Sequence, residues 1–413
     1  MESIRQLYKI GRGPSSSHTM GPEKACLYVL NNYEGDQFKV ILYGSLSLTG
    51  KGHLTDKSIK DVLDNVEVEF SQQTVMEHPN TMDIIIYKNG LEIATERFYS
   101  VGGGSIVRVG EKEDRLKLVY PLSTFDDIAQ YCKENNMTLF EYVYSIEDVS
   151  FKEYLKEVWE VMKSSVERGL LAEGRLPGVL SIERKAKELY GKITLNEKKH
   201  ISGLKLASAY AYAVSEENSA GGRIVTSPTC GASGVLPGVL VYLQETYDFN
   251  DEEMINALAT AGLVGNLVKT NASISGAEAG CQAEIGTACS MAAAANSELL
   301  NYSIDSIEYA AELALEHHLG LTCDPILGYV QIPCIERNAV GALRALNASE
   351  LGEFLYESRK ISFDAVVETM LHTGRDLRPS YRETSEGGLA AYYNKKKANS
   401  LWANYLLFIS LRD

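Results

Sequence analysis

The first 120 residues alternate between short hydrophobic stretches and charged or glycine-containing turns. Stretches rich in Val, Ile, Tyr and Phe between such turns are typical of β-strands. Two other stretches, 22–32 and 56–65, place apolar residues three and four positions apart, which predicts helices. Together these patterns predict an α/β domain. Its strands are predicted at residues 38–48, 66–70, 82–88, 91–101 and 116–120.

After residue 120 the strand pattern stops and helical spacing continues to the end of the chain. The alanine-rich stretch 288–295 allows neighbouring helices to approach closely. The chain is therefore predicted to be α+β, with an α/β domain at residues 1–122 and an all-helical domain at 123–413. Helices are predicted at residues 125–135, 151–171, 182–190, 201–215, 252–268, 304–318 and 363–372.

Composition and charge narrow the classes of function. The chain carries 55 acidic and 40 basic residues and a formal charge of −15, which disfavours nucleic acid and anionic membranes as partners. Residues 1–22 are polar where a secretory signal would be apolar, and the apolar stretch 401–411 is shorter than the roughly 20 residues of a membrane-spanning helix. We expect a cytoplasmic protein that binds neither nucleic acid nor membranes.

The cysteines suggest metal chemistry rather than disulfides. Their number, seven, is odd, and a chain without a secretory signal is not expected to be held by disulfide bonds. Cys26 and Cys132 lie in apolar periodic stretches, and Cys289 lies in the alanine-rich stretch, so all three are expected in hydrophobic cores. Five cysteines fall between positions 230 and 334, where a metal-binding or catalytic role is plausible.

The loop at residues 11–22, GRGPSSSHTMGP, concentrates hydroxyl groups and an imidazole just before a predicted helix. Hydroxyls, backbone N–H groups and a helix N-terminus together suit a small carboxylate ligand. The alternative is a serine-rich turn in which Thr19 only caps the helix. The candidate ligand-binding residues of this loop are Ser15, Ser16, Ser17, His18 and Thr19.

Cys281, Cys323 and Cys334 lie in segments whose glycine and proline residues predict loops, so the three thiols could converge. Their spacing fits neither zinc ribbons nor ferredoxins. Three thiolates on a 4Fe-4S cluster would leave one iron open as a Lewis acid. Unrelated buried thiols are the alternative that the spacing leaves open.

Two further segments carry candidate chemistry. Cys230, in the glycine-punctuated loop 226–237, is a possible fourth ligand, and Lys269, Asn271 and Ser273 offer a cation, an amide and a hydroxyl to a substrate. The glycine run at 102–104 could instead cradle a phosphate, which keeps a pyridoxal phosphate-dependent dehydratase as an alternative. Its Schiff-base lysine would be Lys51 or Lys269.

In their order along the chain, these motifs resemble the bacterial iron–sulfur L-serine dehydratases, in the form that joins β and α parts in one polypeptide. The resemblance runs from about residue 10 to residue 389. Segments 11–22, 43–56 and 98–107 are similar to the β part, and segments 216–234, 271–286, 320–338 and 381–390 are similar to the α part.

This resemblance implies a 4Fe-4S cluster held by Cys281, Cys323 and Cys334, a homodimer, and L-serine as substrate. It also implies that the N-terminal domain is similar to the substrate-binding regulatory domain of phosphoglycerate dehydrogenase, and that the helical domain is catalytic. The open iron would bind the serine hydroxyl while a base removes the Cα proton, and the resulting aminoacrylate would give pyruvate and ammonium. His18 is the candidate base, because an imidazole changes charge near neutral pH.

The sequence departs from this family in two places. Relatives often carry a cysteine near the C-terminus that occupies the open iron, whereas no cysteine follows Cys334 here. We therefore expect turnover without an initial lag. Residues 229–233 read Thr-Cys-Gly-Ala-Ser, where some relatives have Asn first and Cys last, so the role of Cys230 stays open. A non-catalytic amino-acid sensor is a further alternative.

Overall fold

The computed structural model describes residues 1–73, 77–78, 80–110, 118–194 and 196–396. The apolar tail 401–411 and residues 116–117 of the last predicted strand lie outside the described residues.

A five-stranded sheet forms the N-terminal part, in the order β3-β2-β4-β5-β6. The pair β2 and β3 is parallel and the other neighbours are antiparallel. One face of the sheet buries Val40, Ile84 and Phe98 against helices α1 and α3, because alternate strand residues point to the same side. The strands are β1 (Ile10–Arg12), β2 (Gln37–Leu42), β3 (Val66–Phe70), β4 (Thr81–Lys88), β5 (Leu91–Gly102), β6 (Ser105–Arg108) and β7 (Arg223–Val225), and the helices of this part are α1 (Gly21–Asn32), α2 (Gly44–Thr49) and α3 (Thr55–Lys60).

The rest of the described chain is a helical body arranged around α12, in which nearly every residue is buried. Alanines at 292–295 remove side-chain bulk, so α12 packs closely against α9, α10, α13 and α14. The helices are α4 (Phe125–Glu134), α5 (Leu139–Ile146), α6 (Phe151–Leu171), α7 (Ala186–Gly191), α8 (Lys199–Ser219), α9 (Val235–Tyr247), α10 (Asp251–Asn271), α11 (Gly276–Ala279), α12 (Thr287–Leu299), α13 (Ile304–Glu316), α14 (Cys334–Leu355) and α15 (Phe363–Asp376).

The first twelve residues pack with the helical body rather than with the sheet. The Met1 ammonium donates a 2.7 Å hydrogen bond to the Tyr120 carbonyl, and the buried Tyr8 hydroxyl donates to the Leu258 carbonyl at 2.9 Å. Strand β1 pairs with β7. The chain therefore starts in the helical body, crosses to the sheet and returns, and this crossing brings the loop after β1 between the two parts.

The α+β class is confirmed, and most predicted elements lie within a few residues of the observed ones. The prediction was wrong for residues 44–48, which form α2 instead of continuing the strand. Gly44 has a φ of +53°, which turns the chain out of the extended conformation. Strands β1, β6 and β7 and helices α5, α11 and α14 were missed. Residues 118–120, predicted as the end of a strand, form only an isolated bridge between Leu118 and Glu2. The boundary at residue 122 stays a prediction.

Among the described residues, no helix combines the length and the apolar content needed to cross a bilayer.

Candidate active site

Two adjoining cavities lie where the loop after β1 meets the helical body. The first has a volume of about 160 Å³ and the second about 580 Å³. Ser17, Ser275, Pro325 and Glu383 line both cavities, so the two are neighbours. The smaller cavity is lined by thiols. The larger one is lined by the His18 imidazole of the serine-rich loop and by His53 and His78.

Cys281, Cys323 and Cys334 all line the smaller cavity, although they come from three separate segments. Cys230 lines it as well. All seven cysteines are buried and free of disulfide bonds. Cys289 lies elsewhere, in α12, where its thiol donates to the Gly341 carbonyl at 3.2 Å.

Cys281 is positioned by its neighbour Gln282. The preceding Gly280 has a φ of +77°, a conformation that favours glycine, and it ends α11 just before Cys281. The buried Gln282 amide oxygen accepts hydrogen bonds from the Gly320 N–H and from the Thr373 hydroxyl, both at 2.9 Å. These bonds tie the Cys281 segment to the segment that leads to Cys323.

Arg337 connects the other two cysteine segments. It lies one turn after Cys334, the first residue of α14, and donates to the Thr322 carbonyl at 2.6 Å and to the Asp324 carboxylate at 3.1 Å. Thr322 and Asp324 flank Cys323. The Arg337 fork therefore holds both thiols in one arrangement and adds a positive charge beside them.

Glu383 is joined to this arrangement through the backbone of Cys323. The Cys323 N–H donates to the Tyr381 carbonyl at 2.8 Å, and the Glu383 N–H donates to the Cys323 carbonyl at 2.7 Å. Glu383 itself has a φ of +61°. This short backbone pairing places the Glu383 carboxyl at the junction of the two cavities.

Glu284 reaches into the thiol cavity from the turn after Cys281. Its Oε1 accepts a 2.7 Å hydrogen bond from the Thr229 hydroxyl, and its Oε2 lies 3.9 Å from Cys281 Sγ and 3.8 Å from Cys323 Sγ. The sequence analysis assigned roles to neither Glu284 nor Glu383. A glutamate three residues after a candidate ligand was the available signal for Glu284.

The protein surroundings favour the protonated forms of these groups. Hydrogen bonding to Cys281 and burial raise the pKa of Cys323, and burial followed by the Cys281 charge raises the pKa of Cys334. Burial raises the pKa of Glu284, and burial with the nearby Glu284 charge raises the pKa of Glu383 to about 8. Binding as thiolates therefore requires the positive charge of a metal.

The residues that line this cavity fit a metal cluster. Three reduced thiols converge without forming a disulfide, and thiolates are the ligands of iron–sulfur clusters. Gly276 leaves room beside them, because a Cβ there would lie 2.4 Å from Glu284 Oε2 and 3.0 Å from Cys323 Sγ. The donor set and the missing side chain are both what a buried cluster needs.

The serine-rich loop forms another wall of the thiol cavity. Ser15, Ser16 and Ser17 line the thiol cavity at the start of a helical turn, Ser16–Met20, that leads directly into α1. The Ser15 hydroxyl accepts from the His18 N–H at 3.2 Å, and the Ser17 carbonyl accepts from the Ser100 hydroxyl at 2.7 Å. A hydrogen bond from the sheet therefore holds this loop beside the thiol cavity.

His18 faces the larger cavity and is only 9% exposed. Its Nδ1 shares a 2.8 Å hydrogen bond with the Ser17 hydroxyl, and its Nε2 shares one of 2.9 Å with the Ser45 hydroxyl. The His53 ring lies 4.6 Å away between centroids. Burial, followed by the proximity of His53, lowers the pKa of His18 to about 3, so the imidazole is neutral at physiological pH.

The other candidate residues make structural contacts. The Thr19 hydroxyl donates to the His53 carbonyl at 2.8 Å, and Lys269 Nζ pairs with the Glu2 carboxylate at 2.7 Å. The Asn271 amide donates to the Ser123 carbonyl at 2.6 Å, and the Ser273 hydroxyl donates to Glu278 at 2.7 Å. None of these four side chains is among the described residues that line the two cavities.

Lys51, the other candidate Schiff-base lysine, is exposed at the surface, with its Nζ 5.3 Å from the centre of the Phe70 ring. Like Lys269, it is not among the described residues that line either cavity.

Comparison with known proteins gives a consistent result. Residues 66–390 match the family model of the serine dehydratase alpha chain, and residues 3–71 match that of the serine dehydratase beta chain. L-serine dehydratase 2 of Escherichia coli K12 is 38% identical over 94% of this chain and 98% of its own length. The L-serine dehydratase of Haemophilus influenzae Rd is 38% identical over 94% and 99%, and that of Helicobacter pylori 26695 is 35% identical over 94% and 98%. The chain is therefore an enzyme of the serine dehydratase family, with beta and alpha parts joined in one polypeptide, as its motifs led us to expect.

Proposed function

We propose that this protein is an L-serine dehydratase, which converts L-serine to pyruvate and ammonium with the help of a 4Fe-4S cluster. The observation that carries the proposal is the small cavity that is lined both by Cys281, Cys323 and Cys334 and by Ser15–Ser17. Its relatives named L-serine dehydratase match nearly the full chain. A cluster on three thiolates would supply an iron that polarises the serine hydroxyl as a Lewis acid.

The cysteine segments would hold the cluster in place. Gln282 and Arg337 tie the three segments together, so the thiols do not have to be ordered when the metal binds. The Arg337 guanidinium, beside Cys281 and Cys334, would offset the negative charge of the thiolates. This preorganisation is the contribution of the helical body.

The serine-rich loop would bind the substrate. Its three hydroxyls and the N–H groups at the start of the Ser16–Met20 turn can donate to the substrate carboxylate. Glu383, which lines both cavities, would accept a hydrogen bond from the substrate ammonium. Thr19 would hold the loop through His53 rather than contact the substrate. We do not retain Lys269, Asn271 and Ser273 in the substrate-binding set, because their side chains bond to Glu2, Ser123 and Glu278.

His18 would accept the Cα proton. A base must be unprotonated before it can act, and burial keeps the His18 imidazole neutral. The Ser17 and Ser45 hydroxyls hold both ring nitrogens and so fix the ring at the edge of the substrate space. Loss of the proton from Cα and loss of the hydroxyl give aminoacrylate, which tautomerises and hydrolyses to pyruvate and ammonium.

The deciding experiment is anaerobic purification of the full chain, followed by iron and sulfide analysis and a serine-to-pyruvate assay. We expect about four irons per chain and a broad visible absorbance. The absorbance and pyruvate formation should be lost together on exposure to air. Pyruvate formation by iron-free protein would contradict the proposal. A yellow, air-stable chromophore would point instead to the pyridoxal phosphate alternative, and binding of serine without turnover to the sensor alternative.

We also propose a cytoplasmic homodimer, on the basis of the family resemblance and the acidic composition. Light scattering of the anaerobic protein at several concentrations tests the assembly state, and a constant mass of one chain would exclude the dimer. Cell fractionation tests the location.

A further inference from the structure

Three donor atoms in the thiol cavity form a compact group. Cys281 Sγ, Cys323 Sγ and a carboxylate oxygen of Glu284 are all within 4.8 Å of one another. In a tetrahedral zinc site, with metal–ligand bonds of about 2.0 to 2.3 Å, neighbouring donor atoms are roughly 3.3 to 3.8 Å apart. Glu284 Oε2 lies 3.9 Å and 3.8 Å from the two sulfurs, so small side-chain movements suffice to surround one ion.

We propose that Cys281, Cys323 and Glu284 form a binding site for a single divalent ion of the zinc class, occupied when the chain carries no cluster. Two thiolates and one carboxylate are a donor set that zinc accepts, and three protein ligands leave a fourth position open. The proposal rests on the proposed function only in that two of these ligands are also assigned to the cluster. Glu284, by contrast, has no part in the cluster's ligand set.

The carboxylate is prepared for this role by its own hydrogen bond. The Thr229 hydroxyl donates to Oε1 at 2.7 Å and leaves Oε2 directed towards the thiols. A metal ligand whose second oxygen is held in this way loses less freedom on binding. Gly276 adds space on the same side, because any side chain there would collide with Glu284 Oε2.

A consequence for regulation follows from the shared cysteines. One zinc-class ion and a 4Fe-4S cluster cannot use Cys281 and Cys323 at the same time. Because tetrahedral thiolate-containing sites bind zinc tightly, zinc should delay assembly of the cluster in the cluster-free chain. Serine dehydratase activity would then depend on which metal reaches the chain first.

The test uses the full-length chain, stripped of iron anaerobically and fully reduced, and titrated with Co²⁺ alone. We expect one equivalent to bind, with a sulfur-to-cobalt charge-transfer band and visible bands typical of tetrahedral coordination, and Zn²⁺ should displace it. Glu284→Gln should weaken Co²⁺ binding on the order of tenfold or more. The matched control is Glu383→Gln, which changes another carboxyl of the same cavity and should leave the affinity within twofold. Unchanged affinity in Glu284→Gln would overturn the proposal.

Cys334→Ser separates this site from the cluster site. It should retain one tightly bound Co²⁺ while it fails to assemble a cluster, whereas Cys323→Ser should lose both. If Cys334→Ser weakens Co²⁺ binding as much as Cys323→Ser does, the ion is held by three thiolates and the proposal is wrong.

Thr229→Val, which keeps every ligand but frees Oε1 of Glu284, should weaken Co²⁺ binding several-fold. Thermal melting of each variant shows that it is folded. Absence of pyruvate formation by the reconstituted parent enzyme would refute the proposed function and leave this site intact.

Discussion

The two walls of the thiol cavity are built in different ways. One wall collects Cys281, Cys323 and Cys334 from three segments of the helical body, and long-range bonds of Gln282 and Arg337 hold them together. The other wall, Ser15–Ser17, is a single continuous stretch that the sheet and the start of α1 hold in place. The first wall depends on tertiary packing, whereas the second is largely formed by its own local turn.

The walls also differ in how strongly they hold protons. Burial raises the pKa of the Cys334 thiol, and it raises that of the Glu383 carboxyl to about 8. Beside the serine loop, burial lowers the pKa of His18 to about 3. Burial disfavours whichever form is charged, so it protonates acids and deprotonates an imidazole. The same desolvated environment thus prepares one side to exchange protons for a metal and the other to present a neutral acceptor.

Removing a thiol should have the largest effect. Cys281→Ser, Cys323→Ser and Cys334→Ser should each abolish the cluster and pyruvate formation together, because two thiolates hold a cluster poorly. The measurement is iron content alongside activity, under anaerobic conditions. Cys289→Ser, which changes a buried thiol of α12, is the matched control and should keep both. Full iron content in any of the three variants would remove that cysteine from the ligand set.

Changing the imidazole next to the serine wall should affect turnover but not the metal. His18→Ala should lower kcat on the order of a hundredfold and leave the visible spectrum of the cluster unchanged, because only the proton acceptor is lost. His317→Gln, at an exposed histidine, is the control and should have normal kcat. Near-normal kcat in His18→Ala would assign the base to another group. Loss of iron in the same variant would show that the two walls are not independent.

The buried, neutral histidines should make the free energy of unfolding depend on pH. We expect this effect to be smaller than those of the two changes above. The folded pKa of His18 lies below the unfolded value of about 6.5, and burial also lowers the pKa of His53. Below about pH 6.5 the unfolded chain therefore binds more protons than the folded chain. These residues cost no stability above that pH. They destabilise the fold increasingly as the pH falls towards their folded-state pKa values. His18 should reduce the free energy of unfolding by about 1 kcal/mol between pH 6 and pH 5, and His53 should change it in the same direction.

This is measured by denaturant unfolding of the cluster-free chain at a series of pH values. His18→Gln should have a shallower loss of stability between pH 6.5 and pH 5 than the parent chain. Parallel pH profiles for the two proteins would mean that His18 titrates normally, and would contradict its burial as a neutral acceptor.

The smallest effect is expected away from both walls. Lys269→Ala should leave kcat and the KM for serine within twofold, because Lys269 pairs with Glu2 rather than with the cavities. Loss of this half-buried ion pair should cost roughly 1 kcal/mol or less of unfolding free energy. Steady-state kinetics and thermal melting check both statements. A tenfold rise in KM would return Lys269 to the substrate-binding set.

Much of the fold could be predicted from the pattern of apolar residues. In strands and helices the side chains return to the same face every few residues, and this repeat is a local signal. The α/β start, the helical remainder and the bounds of α6, α10 and α13 were predicted closely. Residues 44–48 have the alternation of a strand, yet Gly44 starts a helix there. The proposed ligand role of the cysteines came from the family's motifs and not from their spacing.

Most of the secondary structure, the family and the residues of the continuous serine loop could therefore be identified from local patterns, because each depends on neighbours along the chain. That Glu284 and Glu383 line the thiol cavity, and that Lys269 pairs with Glu2 near the N-terminus, became evident from the tertiary structure alone. A carboxylate or a lysine has the same local pattern whether it binds a ligand or a distant partner. Which of these it does depends on segments far away in the sequence, brought together when the hydrophobic cores are buried.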